Sequence, residues 1–336
     1  MGNEQLDNMA NARISESRLR TIRERQCKDK WGPDYQAAIR ADPTEAPGLS
    51  TGSILRPSKL GGREFHTLSR PETWAALLAL YNPAVWDVHE QRILNPTPRA
   101  HFLFGHERAR GLSYPSIRGT VEVADSMGIL QKHPKVRIRA GDDPTKWQYA
   151  PYPYVGDLLL FMQDGQGCYV VNWTVKDKFK SFRRRGPQTQ IGKPRLDEDD
   201  EGAIARHELE DRYYMDANIR TQKVAGQAID FQLRCNLADL FAADSWSVSV
   251  PIELLLLLFQ YFSDHIGSEM LANQVVRAAA IKFKTTNEIA LTVLRQGIWR
   301  RKIRVDLFRP FLMDKPLWPE VTDALAYYSK WFTRGG

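Results

Sequence analysis

The sequence predicts an α/β fold in which helices flank a central mixed sheet, and it predicts a smaller helical domain after this one. The sheet is indicated by two adjacent apolar runs, 156–162 and 168–176, which the Asp- and Gly-rich turn 163–167 joins into a β-hairpin. The helical domain is indicated by a change of pattern near residue 247. The expected divisions are a basic N-terminal arm and linker (1–60), the α/β domain (61–245) and the helical domain (246–336).

The composition is that of an ordinary globular chain with an excess of positive charge. Of the 336 residues 43% are hydrophobic, and the formal net charge is +7, which favours a polyanion such as nucleic acid as partner. The three cysteines are widely separated and fit neither a zinc site nor a disulfide framework, which favours a reducing cytoplasm. The most apolar stretch, 250–259, is too short to span a bilayer, so no membrane partner is expected.

A helix with clear boundary signals comes before the hairpin. Ser69 is a preferred N-cap residue, Pro71 suits the first turn, and Asn82 followed by Pro83 ends the apolar pattern. The next segment, 85–91, alternates apolar and polar residues and therefore predicts a half-buried strand.

The remaining segments are predicted from periodicity and composition. Residues 95–150 are expected to be an insertion with short strands such as 136–139, and the opposite charges across 176–201 indicate a loop. A helix is predicted over 203–224 and a return strand over 228–233. After these, three helices and one basic strand form a winged-helix outline, with expected ranges 251–263, 268–282, 286–296 and 302–307.

Two charged residues stand where the hairpin strands bring their ends together. Asp157 begins the first run and Lys176 ends the second. Phosphodiester hydrolysis needs a cation held by carboxylates and a positive group beside the attacking water. Glu72 in the preceding helix adds a second carboxylate, and Mg²⁺ takes only one or two from a protein. From these residues alone, a surface ion pair between Asp157 and Lys176 is the alternative interpretation.

This part of the chain resembles the TnsA endonuclease subunit of heteromeric bacterial transposons. The similarity begins at Leu68-Ser69-Arg70-Pro71-Glu72, continues through the apolar helix, and enters the strand 85–91, which ends in Glu90-Gln91. It extends through the hairpin and the helix around 207–214. It covers most of residues 60–310 apart from the insertions at 95–150 and 183–203.

The resemblance implies a restriction-endonuclease-like domain followed by a winged-helix-like domain, and it assigns roles to individual residues. The catalytic residues would be Glu72, Asp157 and Lys176. The cofactor would be Mg²⁺, with Mn²⁺ as a substitute, held by Glu72, Asp157, Thr174 and Val175. Thr174 stands where the family usually has Gln or Glu.

Further residues are expected around these. Glu90 and Gln91 would support the site or face the DNA. DNA-binding residues are expected just after the hairpin, at Lys178, Lys180, Arg183, Arg184 and Arg185.

The resemblance also implies partners. The protein would cut the 5′ ends of a transposon in double-stranded DNA, together with a TnsB-like transposase and a TnsC-like AAA+ ATPase. It would work in the bacterial cytoplasm at the nucleoid. Two alternatives stay open: a stand-alone restriction or repair nuclease, which could take its specificity from the insertion 95–150, and a non-catalytic DNA-binding assembly protein.

Overall fold

The computed structural model describes residues 14–47, 51–141, 143, 145–184 and 199–335. It is a mixed α/β structure, which confirms the predicted central mixed sheet flanked by helices. Its helices are α1 (Glu16–Gln26), α2 (Arg70–Tyr81), α3 (Thr120–Ser126), α4 (Glu201–Met215), α5 (Phe231–Ala242), α6 (Ile252–Asp264), α7 (Ala272–Lys282), α8 (Asn287–Trp299) and α9 (Ala324–Tyr327). Its strands are β1 (Ser53–Leu55), β2 (Phe65–Thr67), β3 (Val85–Glu90), β4 (Ile93–Leu94), β5 (Lys135–Arg139), β6 (Trp147–Pro151), β7 (Tyr154–Val155), β8 (Leu158–Asp164), β9 (Gly167–Lys176) and β10 (Arg220–Ala225).

The central sheet has the strand order β10-β9-β8-β3. The predicted hairpin is present as β8 and β9, which pair antiparallel with Leu158 opposite Trp173. Strand β3 pairs antiparallel with β8, whereas β10 pairs parallel with β9, so the sheet is mixed. A parallel neighbour requires a crossover, and the chain makes it through α4.

Both faces of this sheet are covered. Successive side chains of a strand point to opposite faces, and Leu158 and Trp173 belong to a large core that includes α2 and the C-terminal helices. Leu159 belongs instead to a second core with Tyr213 and Tyr214 of α4. The large core runs from residue 60 to residue 332, so it continues across the predicted domain boundary at 245. The division of the chain there stays a prediction.

Helix α2 begins and ends where the sequence predicts. Ser69 is the N-cap with extended backbone, its hydroxyl accepts a hydrogen bond from the Glu72 N–H, and Pro71 lies in the first turn. The helix ends at Tyr81, before Asn82, whose side-chain oxygen accepts from the Ala84 N–H at 2.9 Å. Almost every residue of the helix after Thr73 is buried, which holds its first turn firmly against the sheet.

Two predictions between residues 203 and 233 are wrong. The helix predicted over 203–224 ends at Met215, after which Asn218 takes a left-handed conformation (φ 58°) and β10 begins at Arg220. The return strand predicted over 228–233 is instead the start of α5. Asp230 caps that helix by accepting from the Leu233 N–H at 3.0 Å. The alternating apolar residues of this short segment favoured a strand although Asp230 is a typical N-cap residue.

The three C-terminal helices are present as α6, α7 and α8, close to their predicted ranges. The basic strand predicted over 302–307 is wrong, because that segment makes only a single bridge, between Val305 and Pro319. Proline has no N–H with which to extend a ladder, so the alternating pattern does not become a strand here.

The N-terminal helix and the insertion form a small core of their own. Leu19 and Ile22 of α1 pack with Ile93 and with Val136 of β5. The short strand predicted over 136–139 is therefore confirmed, as part of an antiparallel hairpin of β5 with β6. Among the described helices, none combines the length and the hydropathy that a bilayer crossing needs.

Glu90, at the end of β3, forms a buried ion pair with Arg63, with two contacts of 2.8 Å. Replacing Glu90 by Gln leaves a buried guanidinium without a compensating charge, so we expect the free energy of unfolding to fall by about 3 kcal/mol. Urea titration measures this. The control is Arg56→Ala, because Arg56 pairs with Glu64 at an exposed position, where the loss should stay below about 1 kcal/mol. Equal losses in the two variants would contradict the prediction.

Candidate functional site

Asp157 and Lys176 lie side by side at one end of the β8–β9 hairpin, as the sequence predicts. The Lys176 Nζ is 3.8 Å from the Asp157 Oδ2, and the Val175 N–H donates to the same oxygen at 2.6 Å. The Asp157 side chain is 19% exposed and that of Lys176 36% exposed, so both groups are reachable from solvent. Asp157 directly precedes β8 and Lys176 ends β9, and antiparallel pairing brings these positions together.

Glu72 is held in the first turn of α2 by three hydrogen bonds. Its Oε2 accepts from the Leu68 N–H at 2.8 Å and from the Gln91 Nε2 at 3.1 Å, and its Oε1 accepts from the Ser69 hydroxyl at 2.8 Å. The partial positive charge of the helix N-terminus favours a carboxylate there. Glu72 is buried.

Gln91 connects the two carboxyl-bearing residues. Its backbone N–H donates to the Asp157 carbonyl at 3.0 Å, while its side chain donates to Glu72. Its φ of 50° lies in the left-handed region, which is uncommon for a residue other than glycine. The strain persists because the Gln91 carbonyl accepts from the Ala38 N–H and from the Gln26 Nε2, both at 3.2 Å. Gln91 thus holds Glu72 in place relative to Asp157.

Both carboxyl groups of the site have raised pKa values. Burial, and next the charge of Asp157, raise the pKa of Glu72 to about 7. Burial also raises the pKa of Asp157, although the nearby Lys176 acts in the opposite direction. The site therefore combines two carboxyl groups that resist holding two negative charges with one ammonium group.

Glu210 of α4 is a further buried carboxylate beside the site, and it is not among the residues predicted for the site from the sequence. Its Oε1 accepts from the Thr174 hydroxyl at 3.0 Å and from the Asn172 Nδ2 at 3.1 Å, and its Oε2 accepts from the Arg206 Nη1 at 2.9 Å. Burial opposes ionisation, but the charge of Arg206 and the Asn172 hydrogen bond keep the pKa of Glu210 below its usual value. Its negative charge in turn raises the pKa of Asp157.

A signal for Glu210 was present in the sequence. It lies three and four residues before Tyr213 and Tyr214, on the face of the helix that packs on the sheet. A glutamate on the buried face of a helix is rare unless it is paired.

The other residues predicted for the site have different surroundings. Thr174 directs its hydroxyl to Glu210, and Val175 contributes its N–H to Asp157. Gln91 joins the site, whereas the Glu90 carboxylate is turned to Arg63.

The residues predicted to bind DNA follow β9 directly. Lys178 and Lys180 are exposed in a 3₁₀ turn, Phe179–Arg183 and its N-cap. The Arg183 Nε donates to Asp199 at 2.8 Å, and Arg184 is half-buried. Arg185 lies outside the described residues.

The donor set at this end of the sheet suits a hard divalent cation. No group of three or more His, Cys, Asp or Glu side chains that could hold a metal ion is found in the described part of the chain. Mg²⁺ does not require such a group, because it takes one or two carboxylates and completes its shell with water and substrate oxygens. Glu72 and Asp157 meet this requirement, and burial raises the pKa of both carboxyl groups, so a bound cation would favour their ionised forms.

Comparison with known proteins identifies no family. No protein-family model matches the chain, and no curated protein matches its sequence significantly. A functional conclusion therefore depends on the chemistry of the site. The site offers two oxygen donors for a cation, a partly exposed ammonium group, and hydrogen bonds that orient the carboxyl groups. This combination is suited to hydrolysis of a phosphate ester.

Replacing Glu72 by Gln should change how stability depends on pH. In the folded chain Glu72 keeps its proton up to a pH of about 7, whereas its ordinary pKa is 4.5. The stability that comes from this bound proton is complete below pH 4.5 and is lost as the pH rises to 7. The free energy of unfolding of Glu72→Gln, relative to that of the native chain, should rise by about 3 kcal/mol between pH 4.5 and pH 8. Urea unfolding in EDTA measures this difference.

Glu45→Gln provides the control with the opposite sign. Burial tends to raise the pKa of Glu45, but hydrogen bonds from Arg25 lower it below its ordinary value. This variant should therefore lose stability relative to the native chain as the pH rises from 3 to 5. If the difference in free energy of unfolding between Glu72→Gln and the native chain does not change with pH, the assignment of a raised pKa to Glu72 is refuted.

Proposed function

We propose that this protein is a metal-dependent DNA endonuclease, the TnsA-type subunit that hydrolyses phosphodiester bonds at the 5′ ends of a transposon. The observation that carries the proposal is the Asp157–Lys176 pair at one end of the hairpin, with Gln91 hydrogen-bonded both to Asp157 and to Glu72. These are the residues that the similarity to TnsA selects from the sequence.

In this proposal the α/β part is a restriction-endonuclease-like domain, and α6, α7 and α8 belong to a winged-helix-like domain. The mixed sheet with its long hairpin is compatible with the first assignment. The three consecutive helices are compatible with the second. Because 302–307 is not a strand, the winged-helix assignment depends on the helices alone.

Each residue of the site has a task that follows from its surroundings. Glu72 and Asp157 would hold Mg²⁺, which supplies charge neutralisation at the phosphate and lowers the pKa of water. Lys176 is partly exposed beside Asp157 and can donate a hydrogen bond to a water molecule or a phosphate oxygen. Its positive charge offsets the negative charge that develops as the phosphorus is attacked. Val175 and Gln91 fix the orientation of the two carboxylates.

The proposed partners follow from the same similarity. They are double-stranded DNA of the transposon ends, a TnsB-like transposase and a TnsC-like AAA+ ATPase. The exposed lysines after β9, Lys178 and Lys180, are positioned within a few residues of Lys176 and would contact the phosphate backbone near the cut.

The proposal predicts that Asp157→Ala and Lys176→Ala each lower cleavage by at least about 100-fold. Cleavage is measured on transposon-end duplexes with Mg²⁺ or Mn²⁺ and the TnsB-like transposase, and complex assembly is followed by size-exclusion chromatography. Assembly should be retained. The matched control is Asp164→Ala, at the opposite end of β8, which should cut like the native protein. Unchanged cutting by both site variants would indicate a non-catalytic protein, and metal-dependent cutting by the native chain alone would indicate a stand-alone nuclease.

Metal binding should be visible without any cleavage. If Glu72 and Asp157 share a divalent cation, added Mg²⁺ should lower the pKa of Glu72 from about 7, because the cation favours the ionised form. The carboxyl ¹³C shift of Glu72 measures this pKa. NaCl at equal ionic strength is the control for screening, and Asp157→Asn should remove the effect of Mg²⁺. A pKa that does not respond to Mg²⁺ would argue against these ligands.

A further inference from the structure

The β5–β6 hairpin has one face on which the cationic side chains of β5 lie beside the aromatic side chains of β6. In its register Arg137 lies opposite Tyr149, and Arg139 lies opposite Trp147. Residues two apart on a strand share a face, so Lys135 joins this set. All five side chains are exposed, Trp147 by 46% and Tyr149 by 71%. We call this set the basic ribbon.

The opposite face of the hairpin anchors it to the protein. Val136 and Ala150 are buried, and with the partly buried Ile138 they pack in the small core that contains Leu19 and Ile22 of α1. The backbone N–H of Arg139 also donates to the Glu16 carboxylate of α1 at 3.1 Å. The hairpin that carries the basic ribbon is thus anchored to α1 by packing and by a hydrogen bond.

Stacking orders the cations of the ribbon. The guanidinium carbon of Arg139 is 3.8 Å from the centroid of the Trp147 ring, and that of Arg137 is 5.1 Å away. Cation–π contacts at these distances restrict the orientation of an arginine without removing its charge. The side chains therefore lose less conformational entropy when they bind an anion.

The composition of the ribbon favours a polyanion. Arginine binds phosphate through a planar set of N–H donors and also recognises guanine edges. A two-stranded antiparallel ribbon fits the major groove of duplex DNA, which is about 12 Å wide. Exposed tryptophan and tyrosine beside arginine are also common in protein interfaces, but three cations on one face match a phosphate backbone better.

The connection to the candidate site limits the distance between the two surfaces. Tyr149 lies eight residues before Asp157 along the chain. Eight residues span at most about 28 Å, which corresponds to about eight base pairs at 3.4 Å each. The distance from the ribbon to Asp157 is therefore within the length of a short duplex.

We propose that the basic ribbon binds duplex DNA beside the phosphodiester bond that is cut. The position of the DNA relative to Asp157 rests on the proposed function, whereas binding by the ribbon can be tested without cleavage. The ribbon is part of the insertion that lies outside the similarity to TnsA, so it gives this chain a DNA contact of its own.

The test compares the full-length native chain with Arg137→Ala/Arg139→Ala. Binding to a fluorescent 40-base-pair duplex is measured in EDTA by anisotropy over a range of salt concentrations. Each lost phosphate contact reduces the salt slope by about 0.9, so the variant should show a slope lower by about 2 and an affinity lower by about 10-fold or more. The control Arg277→Ala/Lys315→Ala removes two exposed charges elsewhere and should change the slope less than the ribbon variant does.

Each contrary result identifies a different error. A native chain that does not bind the duplex, or equal slopes for the ribbon and control variants, overturns the proposal. Preference for single-stranded DNA overturns the commitment to a duplex. Loss of transposase binding with DNA binding unchanged would identify the ribbon as a protein interface. Circular dichroism checks that the variants are folded. The proposed function fails separately, when the native protein does not cut DNA in Mg²⁺.

Discussion

The pairing register of β8 with β9 is the constraint on which the site depends. Leu158 lies opposite Trp173, whose ring is fully buried and whose Nε1 donates to the Trp331 carbonyl at 2.8 Å. A slip by one residue would turn every side chain of one strand to the opposite face and expel Trp173 from its core. Packing of the core therefore specifies the register. The register in turn places Asp157 beside Lys176, and no attraction between the two side chains is needed.

Local signals predicted much of the fold. The turn between β8 and β9, the Ser69 cap of α2 and the helical periods of α6, α7 and α8 are readable in short windows. Strand β10 is polar, with Arg220 and Lys223 among its residues, and only pairing with β9 makes it a strand. Of the predicted site residues, Asp157 and Lys176 lie side by side, and Gln91 connects Glu72 to Asp157. Glu210 was not predicted, because its contact with the site depends on how α4 packs across the sheet.

The strain at the site distinguishes the two interpretations of Asp157 and Lys176. A surface ion pair needs neither a buried carboxyl group nearby nor an unusual backbone conformation. Here Glu72 is buried with a pKa near 7, and Gln91 is held at a positive φ where it reaches both carboxyl-bearing residues. Such features cost stability, and proteins usually keep them where function requires them. The proposed function gives a reason for their presence beside Asp157.

The opposite pKa shifts of Glu72 and Glu210 indicate different roles for the two carboxylates. The charge of Arg206 lowers the pKa of Glu210 against the effect of burial, and Glu210 contacts the site by accepting from the Thr174 hydroxyl. Among the residues that the structure describes, Glu72 receives hydrogen bonds and no ion pair, whereas Asp157 pairs with Lys176 and accepts from the Val175 N–H. A carboxyl pair in that condition gains most from a cation supplied from outside. Within the proposed function, this explains why the short Thr174 can stand where the family usually has Gln or Glu. Glu210 orients the Thr174 hydroxyl from α4, and Glu72 and Asp157 suffice to hold the metal.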